Sequence, residues 1–220
     1  MSGQGNYLPI IFIIFRKRLK GRAMPGVMKE LERFFFLAGI FILGYFSWSA
    51  AGEYQVEKSN KNLVKFISDA PIEDVEGITD KIDGYLAWDG QDFTNQSEIY
   101  FEVDLNSLDT GIGLRNRHMR ENYLETDKFP YTHYKGKITS SKKLDDSTYT
   151  VVAEGIIFIH GVEKPLSVEG TLVQINANFF RIKSNFQVKL SDFGIKIPSI
   201  MFYKINETMQ LVLDFWVRKT

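Results

Sequence analysis

The chain has 220 residues, 44% of them apolar and 14% aromatic. That is enough for one domain with a real core plus a terminal segment, and it excludes a disordered chain. There is no cysteine, so disulfides, thiolate metal sites and thiol catalysis are excluded, and the 27 basic residues are matched by 27 acidic ones.

The balance is uneven along the chain. Residues 1–51 hold seven basic and two acidic side chains, which leaves 20 and 25 for the rest, a net charge of −5. Such a body lacks the basic face that nucleic acid requires. Leu8–Phe15 is a short apolar patch followed by the basic stretch Arg16–Arg22. Phe34–Phe46 is an uncharged apolar run with Lys29 and Arg33 before it and the small residues of Ser47–Ala51 after it. A positive flank, a short apolar run and small residues form the pattern of a secretory signal peptide, cleaved here after Ala51. Residues 1–51 are then an extension and leader, residues 52–220 the mature domain, and the destination is the periplasm or the exterior. Two alternatives stand beside this. The apolar run, extended through Trp48 to Ala51, serves as an uncleaved anchor, or translation starts at Met24 or Met28 and not at Met1.

From residue 54 the pattern has period two. Phe180, Ile182, Ser184, Phe186, Val188 and Leu190 alternate with Arg181, Lys183, Asn185, Gln187 and Lys189, as in a half-buried antiparallel strand. Similar alternation marks Ile99–Leu105, Thr148–His160, Leu166–Leu172 and Met209–Phe215. Turn signals at Asp89-Gly90, Asp145–Ser147, Gly161–Pro165, Asn176–Asn178 and Pro198-Ser199 separate the runs. Roughly eight strands are predicted, over about 62–69, 81–89, 97–105, 132–143, 148–160, 164–175, 178–190 and 205–218. Leu114–Tyr123 alone reads as a short helix, a cap between the third and fourth strands. Long strands with short connections favour an all-β, eight-stranded antiparallel barrel, because closure removes the sheet edges. A barrel of that size is either filled by its own side chains or holds one small guest.

Several ordered motifs carry a resemblance. Ser107-Leu108-Asp109-Thr110-Gly111, then Arg115 to His118-Met119, then Asn122 to Pro130, resemble the central signature of the YceI family, as does Tyr134-Lys135-Gly136-Lys137-Ile138. Ile159-His160-Gly161-Val162-Glu163-Lys164-Pro165-Leu166 is similar to the family's late hairpin, and Phe193-Gly194-Ile195-Lys196-Ile197-Pro198 to its late strand–loop element. The resemblance covers about residues 54–217. It implies a lipocalin-like eight-stranded barrel, exported, that holds a polyisoprenoid, quinone or fatty-acyl lipid in a tunnel for transport or storage. His118-Met119 stands where the family more usually has a His-Leu pair.

A long apolar chain needs apolar walls and little else. The inward candidates are Phe101, Val103, Ile138, Ile157, Phe186, Val188, Leu211 and Leu213, which would serve a solid core equally well. Arg115 and His118, on the cap, are candidates for donors to a head-group oxygen; the structural alternative ties them to Asp109, Glu121 or Glu125. His160 is expected to act locally, with Gly161 supplying a positive φ. No metal or other cofactor is expected: His118, His133 and His160 lie on different elements without ligand spacing. No nucleophile elbow, phosphate-binding loop or dinucleotide fingerprint occurs, so no enzyme is expected. The partner is a long-chain lipid or isoprenoid and not nucleic acid; transient membrane contact and a homodimer are compatible with this. The competing readings are a membrane-tethered interaction barrel without ligand and a histidine-based metalloprotein.

Overall fold

Alternating strands satisfy their backbone groups only against one another, and their sheet has two unpaired edges until it closes on itself. The computed structural model describes residues 52–69, 74–90, 92–197, 199–200 and 203–220, and among them the closure is made. The leader expected over residues 1–51 lies outside the described residues.

The strands are β1 (Gly52–Val56), β2 (Leu63–Ser68), β3 (Val75–Thr79), β4 (Ile82–Trp88), β5 (Glu98–Asp104), β6 (Tyr131–Lys143), β7 (Thr148–Ile159), β8 (Val162–Asn176), β9 (Phe179–Lys189), β10 (Ser199–Ile200), β11 (Tyr203–Lys204) and β12 (Thr208–Lys219). All pairings are antiparallel. The order β1-β4-β5-β6-β7-β8-β9-β12 returns to β1, where Tyr54 pairs with Lys219 and Val56 with Val217. β10 and β11 form a separate small ladder.

The first two predicted strands are each longer than expected and each broken once. β1 and β2 lie successively along β12, opposite Val217–Lys219 and Gln210–Asp214. Between them the chain bulges, and the buried side chain of Asn62 replaces the missing rungs. Its Nδ2 donates to the Glu57 carbonyl at 2.8 Å and its Oδ1 accepts from the Trp216 N–H at 3.2 Å. β3 and β4 lie opposite β2 and β1 in the same way, interrupted at Asp80-Lys81. Each broken pair counts as one stave, so the barrel has eight. Fragments this short leave only two or three alternating residues apiece, so β1 and β3 escape a period-two reading.

Among the described residues the one α-helix, α1 (Gly113–His118), runs directly into a π-helical turn over Met119–Leu124, close to the predicted Leu114–Tyr123. The turn stops at Glu125, whose φ of 45° is left-handed. The cap lies over the barrel end reached by the end of β5 and the start of β6. The opposite end carries the Leu144–Ser147 and Ala177-Asn178 turns and the start of β1.

Candidate functional site

Burial along the inward faces changes between the two ends. On β9, Phe180 and Ile182 are buried, whereas Ser184, Phe186 and Val188 are half-buried. On β12, Phe215 and Val217 are buried and Leu211 and Leu213 half-buried. On β8, Leu172 is buried while Val162, Leu166 and Val168 are half-buried. Inward side chains that stay accessible face space. That space is a cavity of about 690 Å³, within the range of small-molecule sites.

Its floor is made by Leu86, Ile138, Leu172 and Phe215, the last only 1% exposed. Beneath them five rings seal the barrel end. Tyr54 stacks on Trp88 at 4.8 Å and meets Phe180 edge-on at 5.2 Å. Phe93 packs against Trp88 at 4.8 Å and Tyr149 at 5.0 Å. The Tyr54 hydroxyl donates to the Ala177 carbonyl at 2.9 Å, which satisfies that phenol. None of these five residues lines the cavity.

Two glycines on neighbouring strands shape one side of the wall. Gly136 faces Gly155, and a Cβ on Gly155 would lie 2.3 Å from the Lys135 carbonyl oxygen. The bare patch lets Tyr134 reach across β7, where its hydroxyl donates to the Leu166 carbonyl at 3.2 Å. Burial, helped by the nearby Glu154 charge, pushes the Tyr134 phenol up to about 12, so it remains a neutral donor in the tunnel wall.

The mouth is at the cap. Ile112 and Leu114 line the cavity and are 51% and 58% exposed. The cap is tied down by polar contacts from the Asp109–Asn116 segment. The Thr110 N–H and hydroxyl donate to Asn116 Oδ1 at 2.8 and 2.6 Å, while Asn116 Nδ2 donates to Asp109 Oδ1 at 2.7 Å. The Gly111 N–H donates to the same Asp109 oxygen at 2.8 Å. The Asn116 side chain and then the Gly111 N–H hold the Asp109 carboxyl below the usual carboxylate range. Asp109 also pairs its backbone with Ile78, closing the free side of β3.

All ten residues singled out in the sequence border the cavity. Phe101 and Val103 come from β5, Ile138 from β6, Ile157 from β7, Phe186 and Val188 from β9, and Leu211 and Leu213 from β12. Arg115 and His118 border it from α1. The structural tie expected for Arg115 differs, because α1 turns its guanidinium toward the preceding loop. Its Nη2 donates to the Thr110 carbonyl at 2.6 Å, it makes no hydrogen bond or ion pair with Asp109, Glu121 or Glu125, and its buried Nε has no hydrogen-bond partner. His118 is exposed on the rim.

Further wall residues were not singled out. Val64, Phe66, Ile82 and Leu86 sit on the broken first staves, where alternation is short; Val168 belongs to an alternating run already evident on β8.

Of the other two histidines, His133 borders the cavity and His160 does not. His133 stacks on Phe158 at 4.8 Å, in the outward set of β6 and β7. His160 shares the β7–β8 turn with Gly161, at φ of 51° and 81°, so both residues and not Gly161 alone are left-handed, as a two-residue hairpin of this type requires. Its Nδ1 is 3.1 Å from the Phe193 carbonyl, and its Nε2 is 3.6 Å from Glu125 without a hydrogen-bond partner. Among the described residues no three His, Cys, Asp or Glu side chains converge as metal ligands would.

Comparison with known proteins agrees with this architecture. The family model described as the YceI-like domain matches residues 54–216. BcnA of Burkholderia cenocepacia is similar at 17% identity and a TM-score of 0.60, covering 73% of this chain and 98% of that one. A polyisoprenoid binding domain from Saccharophagus degradans, implicated in plant cell wall breakdown, is similar at 15% identity and a TM-score of 0.59, covering 76% and 98%. A Campylobacter jejuni YCEI protein is similar at 16% identity and a TM-score of 0.53, covering 68% and 86%. No curated protein matches. At these identities the likeness concerns the fold.

Proposed function

Because this chain belongs to the YceI-like family, we propose that it is a carrier that encloses the apolar chain of a lipid in its tunnel, without chemistry on the guest. The observation that carries the reading is the 690 Å³ cavity, sealed at one end by rings and bordered at the other by exposed Ile112 and Leu114. Removing about 400 Å² of hydrocarbon from water is worth roughly 10 kcal/mol before the costs of association. Apolar walls supply that term for any chain that fits, so the class of guest is a prenyl, quinone or fatty-acyl lipid. Its head group belongs at the cap, where Arg115 has a buried Nε–H to donate and His118 stands on the rim.

The test is organic extraction of the purified protein followed by mass spectrometry. A hydrophobic compound in near-stoichiometric amount is expected. A protein that yields none, and that fails to take up added prenyl or acyl lipid, overturns the reading.

The reading includes export, with the leader removed after Ala51 and a mature domain of residues 52–220, since a carrier of this kind is useful where lipid must cross water between membranes. N-terminal sequencing of the exported form is expected to begin at Gly52; a mature protein that keeps Phe34–Phe46 overturns this part and favours a tether.

A further inference from the structure

The inward faces of three neighbouring strands change from half-buried to buried at one register row. Phe215 of β12 lies opposite Ile182 of β9, and Ile182 opposite Leu172 of β8. All three are buried, while the next inward residues toward the cap, Leu213, Ser184 and Gly170, are half-buried. This row covers one side of the barrel. From the other side comes Phe101 of β5, whose ring meets that of Phe215 edge-on, with centroids 4.9 Å apart. Around the barrel β4 and β1 stand between β5 and β12, so the contact crosses the interior and does not join neighbouring strands. Two features let the rings meet there. Gly84, inward by parity on β4 and opposite Phe101, puts no side chain between them; its φ is 125°, and a Cβ would run into the Tyr100 carbonyl oxygen. The backbone beside Phe215 is pinned, the Trp216 N–H donating to Asn62 Oδ1 at 3.2 Å. Phe215 is only 1% exposed, whereas Phe101 is half-buried and borders the cavity.

We propose that the Phe101–Phe215 crossbar, backed by Ile182 and Leu172, is an end-stop that sets the longest tail the tunnel accepts, so that the protein selects its guest by chain length. The inference rests on the carrier reading. An apolar wall gains the same burial from each methylene that enters and by itself favours no length. Selection needs a point beyond which a further methylene gains nothing. A chain that enters at the cap and keeps its polar head there meets the crossbar with its tail. Any surplus carbons are then held out in water at the mouth. The stop is stiff because Phe215 is enclosed in close-packed core, and displacing it means repacking its neighbours. Phe101 is the specificity-determining residue, since its ring is the member of the pair that remains accessible from the cavity.

The test is competition binding to the full-length protein, in which linear saturated fatty acids, lengthened one carbon at a time, displace a fluorescent fatty acid. Affinity is expected to rise about fourfold with each added carbon and then to stop rising at one length. Phe101→Ala removes a ring from the end of the tunnel and should move that break up by about two to four carbons. Leu213→Phe adds a ring one inward place nearer the cap on β12, where the side chain is half-buried and borders the cavity, and should move the break down. Should Phe101→Ala fail to fold, Phe101→Leu makes the same comparison with a smaller shift. Affinity that climbs without a break in the unaltered protein overturns the end-stop. So does a break that stays in place in a folded variant of Phe101 or of Leu213. Absence of saturable fatty-acid binding sinks the carrier reading itself, and the end-stop with it.

Discussion

The two ends of this barrel use the same kind of side chain for opposite purposes. At the closed end Tyr54, Trp88, Phe93, Tyr149 and Phe180 touch one another, ring to ring, and fill the cross-section. At the cap end Phe101, Phe186, Leu211 and Leu213 point inward with equal regularity and face a cavity. Alternation gives direction but not filling. Filling depends on how many rings meet at one level: five at the closed end, and none of those five reaches the cavity.

The sharpest test of that contrast compares one substitution in two places. Phe180→Ala removes a ring that is 2% exposed and touches three others, and should cost about 3–5 kcal/mol of unfolding free energy in urea titration. Phe186→Ala removes the same atoms from the tunnel wall and should cost about 1 kcal/mol when lipid is absent, because little packing is lost there. Equal costs would break the distinction between a packed and a hollow half. Enlarging side chains should separate the halves in the other direction. Val217→Phe, at a fully buried site of the closed end, should destabilise by about 1–3 kcal/mol through overpacking. Leu211→Trp, in the tunnel, should be nearly neutral for stability and should reduce the lipid recovered with the protein. A loss of stability at Leu211 matching that at Val217 would mean that the wall has no room behind it.

The architecture was readable because the six unbroken staves each carry several alternating residues, as Phe180–Leu190 does. The broken staves were not, because Asn62 completes a bulge through contacts to Glu57 and Trp216, the latter 154 positions away, and no local pattern announces this. The tunnel residues were legible as inward, since parity alone sets that. Hollowness was not legible. Ser107–Gly111 was visible as part of the family signature, yet the role of Asn116 as the hub of the cap contacts follows only from the geometry.

The smaller predictions concern that cap, where polar contacts replace the rings of the other end. Asn116→Ala removes the acceptor for two Thr110 donors and one donor to Asp109, and should cost about 1–2 kcal/mol. Hydrogen exchange should show the loss confined to residues 105–125, with the ring cluster unaffected; exchange rising equally at Tyr54 and Phe180 would mean that the ends are not separable. The pH dependence should follow the same division, with a smaller effect. Asp109 and Glu125 both lie below the usual carboxylate range, Asp109 through Asn116 and the Gly111 N–H, Glu125 through Lys128 first and then the charges of His160 and Lys196. A carboxyl held lower in the folded state than in the unfolded one stabilises the fold above its unfolded value, about 4, and that contribution is lost as the pH falls through the lower folded value. Between pH 6 and pH 3 the cap should therefore open to limited proteolysis before the ring-sealed end does. Both carboxyls lie at the surface, where solvent weakens each contribution, so the shift should be modest. Asn116→Ala should flatten it further by removing the first cause of the Asp109 depression. An unchanged acid profile in that variant would place the pH sensitivity elsewhere than the Asp109 contacts.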